Sequence, residues 1–318
     1  MRFEHELNQT VAYLASPLAM RCLEANCYWP KWDSPWWHML LLNEMGETHR
    51  IPEATIRKFI ESVNAMPVKV FPIEPSEMPA DADPYRDTAC HCQLGSVYRV
   101  LSTWGVAVDR ELPWIRPWFV LYQMKDGGFN CDSDAYRVQG ECPSSMVGTI
   151  AAFESVLLHA EGVRNEEEES FLEKAAHFLI HRKLMLGSDT VQNAKERESA
   201  PKWFKLCFPR FYLYDVLRGL TALTIWSEQT GKTLPEESFR TVVDHLELQF
   251  QDGDVRIGRP CVENPTTIIQ KADGQWDNSR HPASVFPLLA AVSRVGETSP
   301  YLSAEWRSTR RRLHEVIA

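Results

Sequence analysis

CHCQLGSVYRVLSTWGVAVDRELPWIRPWFVLYQMKDGGF occupies residues 90–129 and decides how the fold is read. An apolar run, LGSVYRVL, leads to Gly105, and a second run leads to Asp126-Gly127. Glycine just past an apolar-periodic run marks a helix end, because the left-handed backbone needed there excludes most side chains. The unit is therefore helix, glycine turn, helix, Asp-Gly turn. It recurs over 35–63, 144–184, 208–254 and 281–317. The turn glycines are Gly46, Gly105, Gly162, Gly231 and Gly296.

The first helix of each unit is apolar nearly all round, as in MLLL, VGTIAAFESVLL and VLRGLTALTIW. Such a helix is buried on every side. The second is amphipathic, with the stripe Phe171, Leu172, Ala175, Phe178 and Leu179 in EEEESFLEKAAHFLIHRK. Buried first helices and half-exposed second helices imply an inner ring wrapped by an outer one. Residues 1–33 supply a partial first pair through TVAYLASPLAMRCLEA. The reading is one domain over 1–318: all-α, an α/α toroid of five to six helix pairs. An open solenoid is the alternative, disfavoured because its concave face would expose the apolar helices. Three proline-rich connections (67–87, 130–143 and 252–278) read as loops gathered on one rim, where sites form. VRIGRP and TTIIQ within the last read as short strands.

The composition belongs to a folded, water-soluble chain: 318 residues, 44% apolar, 24% charged, mean hydropathy -0.32. A net charge of -9 argues against broad nucleic-acid binding, which needs a basic footprint. No apolar run approaches the roughly 18 residues of a transmembrane helix, and the acidic start lacks the pattern of a secretory leader. A cytoplasmic protein is expected, with its eight cysteines as thiols or metal ligands rather than disulfides.

With three Asp-Gly turns in phase (QMKDGGFNC, QFQDGD and KADGQWDN), the pattern over 35–317 resembles the squalene cyclase-like repeats of the terpene cyclase and protein prenyltransferase superfamily. The resemblance implies an α/α toroid with an apolar central cavity for isoprenoid chains. It implies cyclisation or prenyl transfer, although the superfamily also includes binding proteins without chemistry. Its cyclases protonate an alkene with a D-x-D-D-T-A motif. Here Asp87-Thr88-Ala89 matches the end of that motif, and Arg86 stands at the acid's position. Its protein prenyltransferases hold catalytic zinc with Asp, Cys and His. Cys142 matches the cysteine, Gly140 stands for the aspartate, and His281 opens the last inner helix as the family's histidine does. Asp132, Asp134 and Asp87 are the candidate catalytic carboxylates. Solvated loop acids, and an N-cap role for Asp87, are the competing readings.

Ligand-type residues also cluster at the predicted helix starts. Cys90, His91 and Cys92 open one inner helix, Cys131 and Cys142 flank the loop into the next, Cys207 precedes a third, and Cys261 lies in the last long loop. The candidate zinc ligands are Cys142, Cys207 and His281 first, then Cys90 and Cys92. Packing as small hydrophobes is the alternative, and is the reading for Cys22 and Cys27. A small apolar substrate in the cavity is expected to meet Tyr98, Phe129, Arg210, Phe211, Tyr214, Arg218 and Trp276. Arg210 and Arg218, with Lys202 and Lys205, suit a diphosphate or simply internal salt bridges, Asp215 with Arg218 being one pair at i,i+3. Two further functions stay open: a non-catalytic toroid binding a peptide or lipid, and an α/α-barrel enzyme acting on carbohydrate through Asp132 or Asp134. The sequence names no protein partner.

Overall fold

The computed structural model describes residues 3–66, 80, 90–131, 144–159, 164–190, 194–263 and 265–316. The chain is mostly helical, with fourteen α-helices and one two-stranded sheet among these residues. The helices are α1 (Glu4–Leu14), α2 (Pro17–Ala25), α3 (Pro35–Glu44), α4 (Glu53–Asn64), α5 (His91–Trp104), α6 (Val108–Glu111) and α7 (Ile115–Tyr122). They continue as α8 (Met146–His159), α9 (Glu166–His181), α10 (Ala194–Ser199), α11 (Val216–Thr230), α12 (Arg240–Gln249), α13 (Pro287–Val292) and α14 (Pro300–Val316). The strands are β1 (Thr266–Gln270) and β2 (Trp276–Pro282), paired antiparallel with an irregularity between Thr267 and Ile269. No helix among the described residues is long and apolar enough to cross a membrane.

The periodicities translate directly. Eight of the ten residues of α3 are buried, from Pro35 to Leu42. On α9 the whole stripe Phe171, Leu172, Ala175, Phe178 and Leu179 is buried, and Asn165 with Glu168 forms a capping box at its start. Gly46, Gly105, Gly231 and Gly296 have positive φ, and nothing would obstruct a side chain at any of them. Backbone conformation, not space, therefore selects glycine there. Gly162 lies outside the described residues. The three Asp-Gly turns share one geometry. Asp126, Asp252 and Asp273 each accept from the backbone N–H two residues on, and the following glycine has positive φ. The third differs in context: it is the tip of the β1–β2 hairpin rather than a helix end.

Packing runs α3 to α5, α5 to α8, α8 to α11 and α11 to α14, with α4, α7 and α9 against α2, α5 and α8. At its start the chain packs α1 on α2, α3 and α13. The closest helix contact is α5 on α8. A methyl group at Gly95 would stand 2.3 Å from the Ala151 carbonyl carbon and oxygen.

Two expectations need correction. The helix expected to open at His281 begins only at Pro287, because residues 276–282 pair as β2. TTIIQ is a strand, but VRIGRP is not. Ile257 bonds to Glu297 and Gly258 to Leu206, so successive residues serve different loops.

Gly95→Ala should lower stability by about 1–3 kcal/mol or more in a urea melt, because helix backbones must separate to admit the methyl. Gly46→Ala, strained but unobstructed, should lose about 1 kcal/mol.

Candidate metal centre and its surroundings

Cys90 sits at the N-cap position of α5 in extended conformation, and Cys92 follows in the first helical turn. Cys131 is delivered to them by a pinned segment. Phe129 is buried, bridges to Ser145, and donates its N–H to the Thr149 hydroxyl at 2.9 Å. The three sulfurs lie within 4.8 Å of one another, with Cys90 and Cys92 Sγ 3.1 Å apart. Thiolates on one tetrahedral zinc stand about 3.8 Å apart, from Zn–S bonds of about 2.3 Å. Hydrogen bonds from the Cys131 and Cys92 thiols hold Cys90 well below the ordinary thiol range, and those two are pushed up in turn. His91 points elsewhere. Its Nδ1 accepts from Trp118 Nε1 at 2.9 Å, its ring lies among Trp118, Tyr122 and Phe129, and burial drives its pKa down to about 3.

Lys31 stands beside this group. Its Nζ lies 5.1–5.7 Å from the ring centres of Tyr28, Trp29, Trp32 and Tyr212. Burial pulls its pKa down, while Cys92 and Cys90 act the other way. The Lys31 backbone N–H donates to Thr267 Oγ1 at 2.7 Å, which ties the loop to β1. A pocket of about 190 Å³ opens here, lined by Trp29, Lys31, Trp32, Tyr212, Thr266, Thr267, Ile268 and Arg280.

A second cavity, about 340 Å³, lies where α3, α5, α8, α11 and α14 meet, and charged side chains are prominent in its lining. Arg218 grips Glu154 with two bonds, 2.8 and 2.6 Å, and Arg99 adds a third at 3.2 Å. Arg210 reaches Asp215 at 2.8 Å and Glu305 at 2.6 Å. Glu44 accepts the backbone N–H groups of Arg210 and Phe211. Burial alone would raise the Glu154 pKa, but Arg218, then Arg99 and Arg210, outweigh it and hold the carboxylate below its ordinary range.

The structure regroups the predicted residues. Among the described ligand candidates only Cys90 and Cys92 converge, and their partner is Cys131. Cys207 is fully buried with its thiol pushed up by burial, outside the sulfur group; Cys261, also buried, is pushed up to about 12. His281 is on β2 beside Ser279 and Asp277, because the hairpin takes it away from a helix start. Cys142, Asp87, Asp132 and Asp134 lie outside the described residues. Of the expected substrate contacts, Arg210 and Arg218 line the central cavity, but as members of ion pairs. Asp215 and Arg218 do not pair side chain to side chain. Asp215 caps the Arg218 N–H and salt-bridges Arg210 instead. Tyr98 donates to Asp109, Tyr214 donates to the Leu184 carbonyl, and Phe129 and Phe211 are fully buried, so these four act in packing. Trp276 is half-buried on β2. Lys31, Glu44 and Glu154 were missed. The one lysine in the aromatic run YWPKWDSPWW was a legible signal for the first.

No protein-family model matches this chain, and comparisons with curated proteins and with solved structures found no match.

Glu154→Gln should destabilise the fold by about 3–5 kcal/mol in chemical denaturation, since it leaves Arg218 buried without its counter-charge. The sign of the pH effect follows from the depressed pKa. Stability supplied by Glu154 is complete above its ordinary 4.5 and is lost as pH falls through its lower folded-state value. The variant should therefore show a shallower loss of stability below pH 4.5 than wild type.

Proposed function

We propose that Cys90, Cys92 and Cys131 form a thiolate metal centre, with zinc as its ion, and that the protein is an enzyme acting on a small molecule beside it. The convergence of three free thiols within 4.8 Å, delivered from two separate segments, carries this reading. Nothing in ordinary core packing calls for three sulfurs to share one space, and each additional thiolate there raises the need for a cation. Three described donors leave the fourth position for a substrate atom, the coordination of catalytic rather than structural zinc. Zinc so held supplies Lewis acidity to that atom. Lys31 adds a second positive charge on the same side, and the rings of Tyr28, Trp29, Trp32 and Tyr212 restrict the approach of water.

The fold around this centre reads as an α/α toroid. The packing succession α3, α5, α8, α11, α14, with α13 against α1 and α1 against α3, supports such an arrangement. Together with the Asp-Gly turns it supports kinship with the terpene cyclase and prenyltransferase superfamily. An isoprenoid substrate is the weaker part of that kinship. The cavity at the meeting of the inner helices carries Glu44, Arg99, Glu154, Arg210, Arg218 and Glu305, which an apolar chain would have to desolvate.

Elemental mass spectrometry on untagged full-length protein, purified without chelator, should find about one zinc per chain. Cys90→Ser and Cys131→Ser should each lose it, while Cys207→Ala and His281→Ala keep it. Wild-type protein that stays free of metal after incubation with zinc would overturn the reading. Copper in its place would keep the centre and change the ion, since an all-sulfur set also suits copper(I).

A further inference from the structure

We infer that the pocket beside Lys31 is a binding site for a small organic anion, a carboxylate or phosphate ester on a flat apolar body. This deepens the reading of the thiol group as a reactive centre by naming the class of molecule brought to it, and the pocket itself stands without the metal.

Charge is the first observation. Lys31 and Arg280 both line the pocket, none of its eight lining residues is acidic, and neither cation has an ion-pair partner among the described residues. At the helix junction Arg99, Arg210 and Arg218 each meet a carboxylate, whereas half-buried Lys31 and exposed Arg280 share a cavity with none. An anion would supply the missing partner, and guanidinium and ammonium groups bind carboxylate and phosphate oxygens through charge-assisted hydrogen bonds.

The walls give the rest of the ligand. Trp29, Trp32, Tyr212 and Ile268 are apolar surface, and Thr266 and Thr267 carry the hydroxyls. The volume, about 190 Å³, is that of about six liquid waters, which suits a small acid.

Backbone strain is the third observation. Among the described residues four non-glycines have positive φ, and two of them, Trp32 at 72° and Phe211 at 54°, meet here with ring centres 5.8 Å apart. Bulky residues adopt this conformation at an energetic penalty, and such strain collects where a site must be held in shape. Phe211 is kept there by Glu44, which accepts its N–H, and Trp32 by the adjacent Lys31–Thr267 bond. The strained pair presents Trp32 and Tyr212 to the pocket.

Titration of the full-length protein with benzoate and with phenyl phosphate, followed by tryptophan fluorescence and calorimetry at low salt, tests this. At least one of the two should bind saturably in the millimolar range or tighter, and which one does separates the carboxylate from the phosphate source. Benzamide, the neutral analogue of benzoate, should bind at least tenfold more weakly. Arg280→Met, an exposed change that spares the fold, should weaken anion binding about tenfold, and Lys31→Met at least as much. A Cys90→Ser/Cys131→Ser variant should still bind, so a failure of the metal reading leaves this one standing. No saturable binding of either anion, benzamide binding as well as benzoate, or full affinity in Arg280→Met would overturn the proposal.

Discussion

Arg218 and Glu154 meet through two hydrogen bonds at a place almost closed to water, and the surrounding helices are arranged to make that tolerable. A buried charge is penalised heavily unless it is paired and hydrogen-bonded. The pair therefore needs its neighbours: Arg99 on α5, Asn43 and Glu44 on α3, Arg210 before α11, and Thr221 with Glu305 across to α14. Of these helices α3, α5, α8 and α11 are buried over most of their length. An apolar cylinder packs almost equally well at several rotations about its axis, whereas an ion pair is satisfied at one. The charged cluster thus supplies the rotational register that hydrophobic burial leaves open.

The two polar centres of the molecule differ in a way that bears on function. At the helix junction each cation answers a carboxylate, so the charges there are spent on the fold. At the face carrying the sulfurs, the cations Lys31 and Arg280 line a pocket whose lining includes no acid. An unbalanced arrangement is held in place by the chain rather than satisfied by it. That asymmetry is why the second face, and not the larger cavity, carries the functional argument.

Much of the fold could be read from residue order, and the reasons are local. A glycine after an apolar run needs only its own backbone to signal a helix end, and Gly46, Gly105, Gly231 and Gly296 all take the conformation that glycine permits. The stripe on α9 needs only a period. The site was less legible because it is assembled across distance. Cys90 and Cys92 were recognised as ligand types, but their meeting with Cys131 depends on how the Phe129–Ser145 bridge aims the chain. His281 was misplaced for a similar reason: TTIIQ was read as a strand, yet its pairing partner, which contains His281, was read as the start of a helix. Asp215 and Arg218 show the limit of spacing rules, since i,i+3 neighbours face each other only when no better partner stands nearby.

The bond from the Lys31 N–H to Thr267 Oγ1 joins positions 236 residues apart. During synthesis the loop carrying Lys31 leaves the ribosome long before the hairpin that fastens it. α3, α5 and α8 can assemble while the aromatic residues 28–32 still lack one wall of their pocket. The pocket is therefore among the last parts of the molecule to be completed, and whatever it binds is held only by a chain whose two ends have both been made.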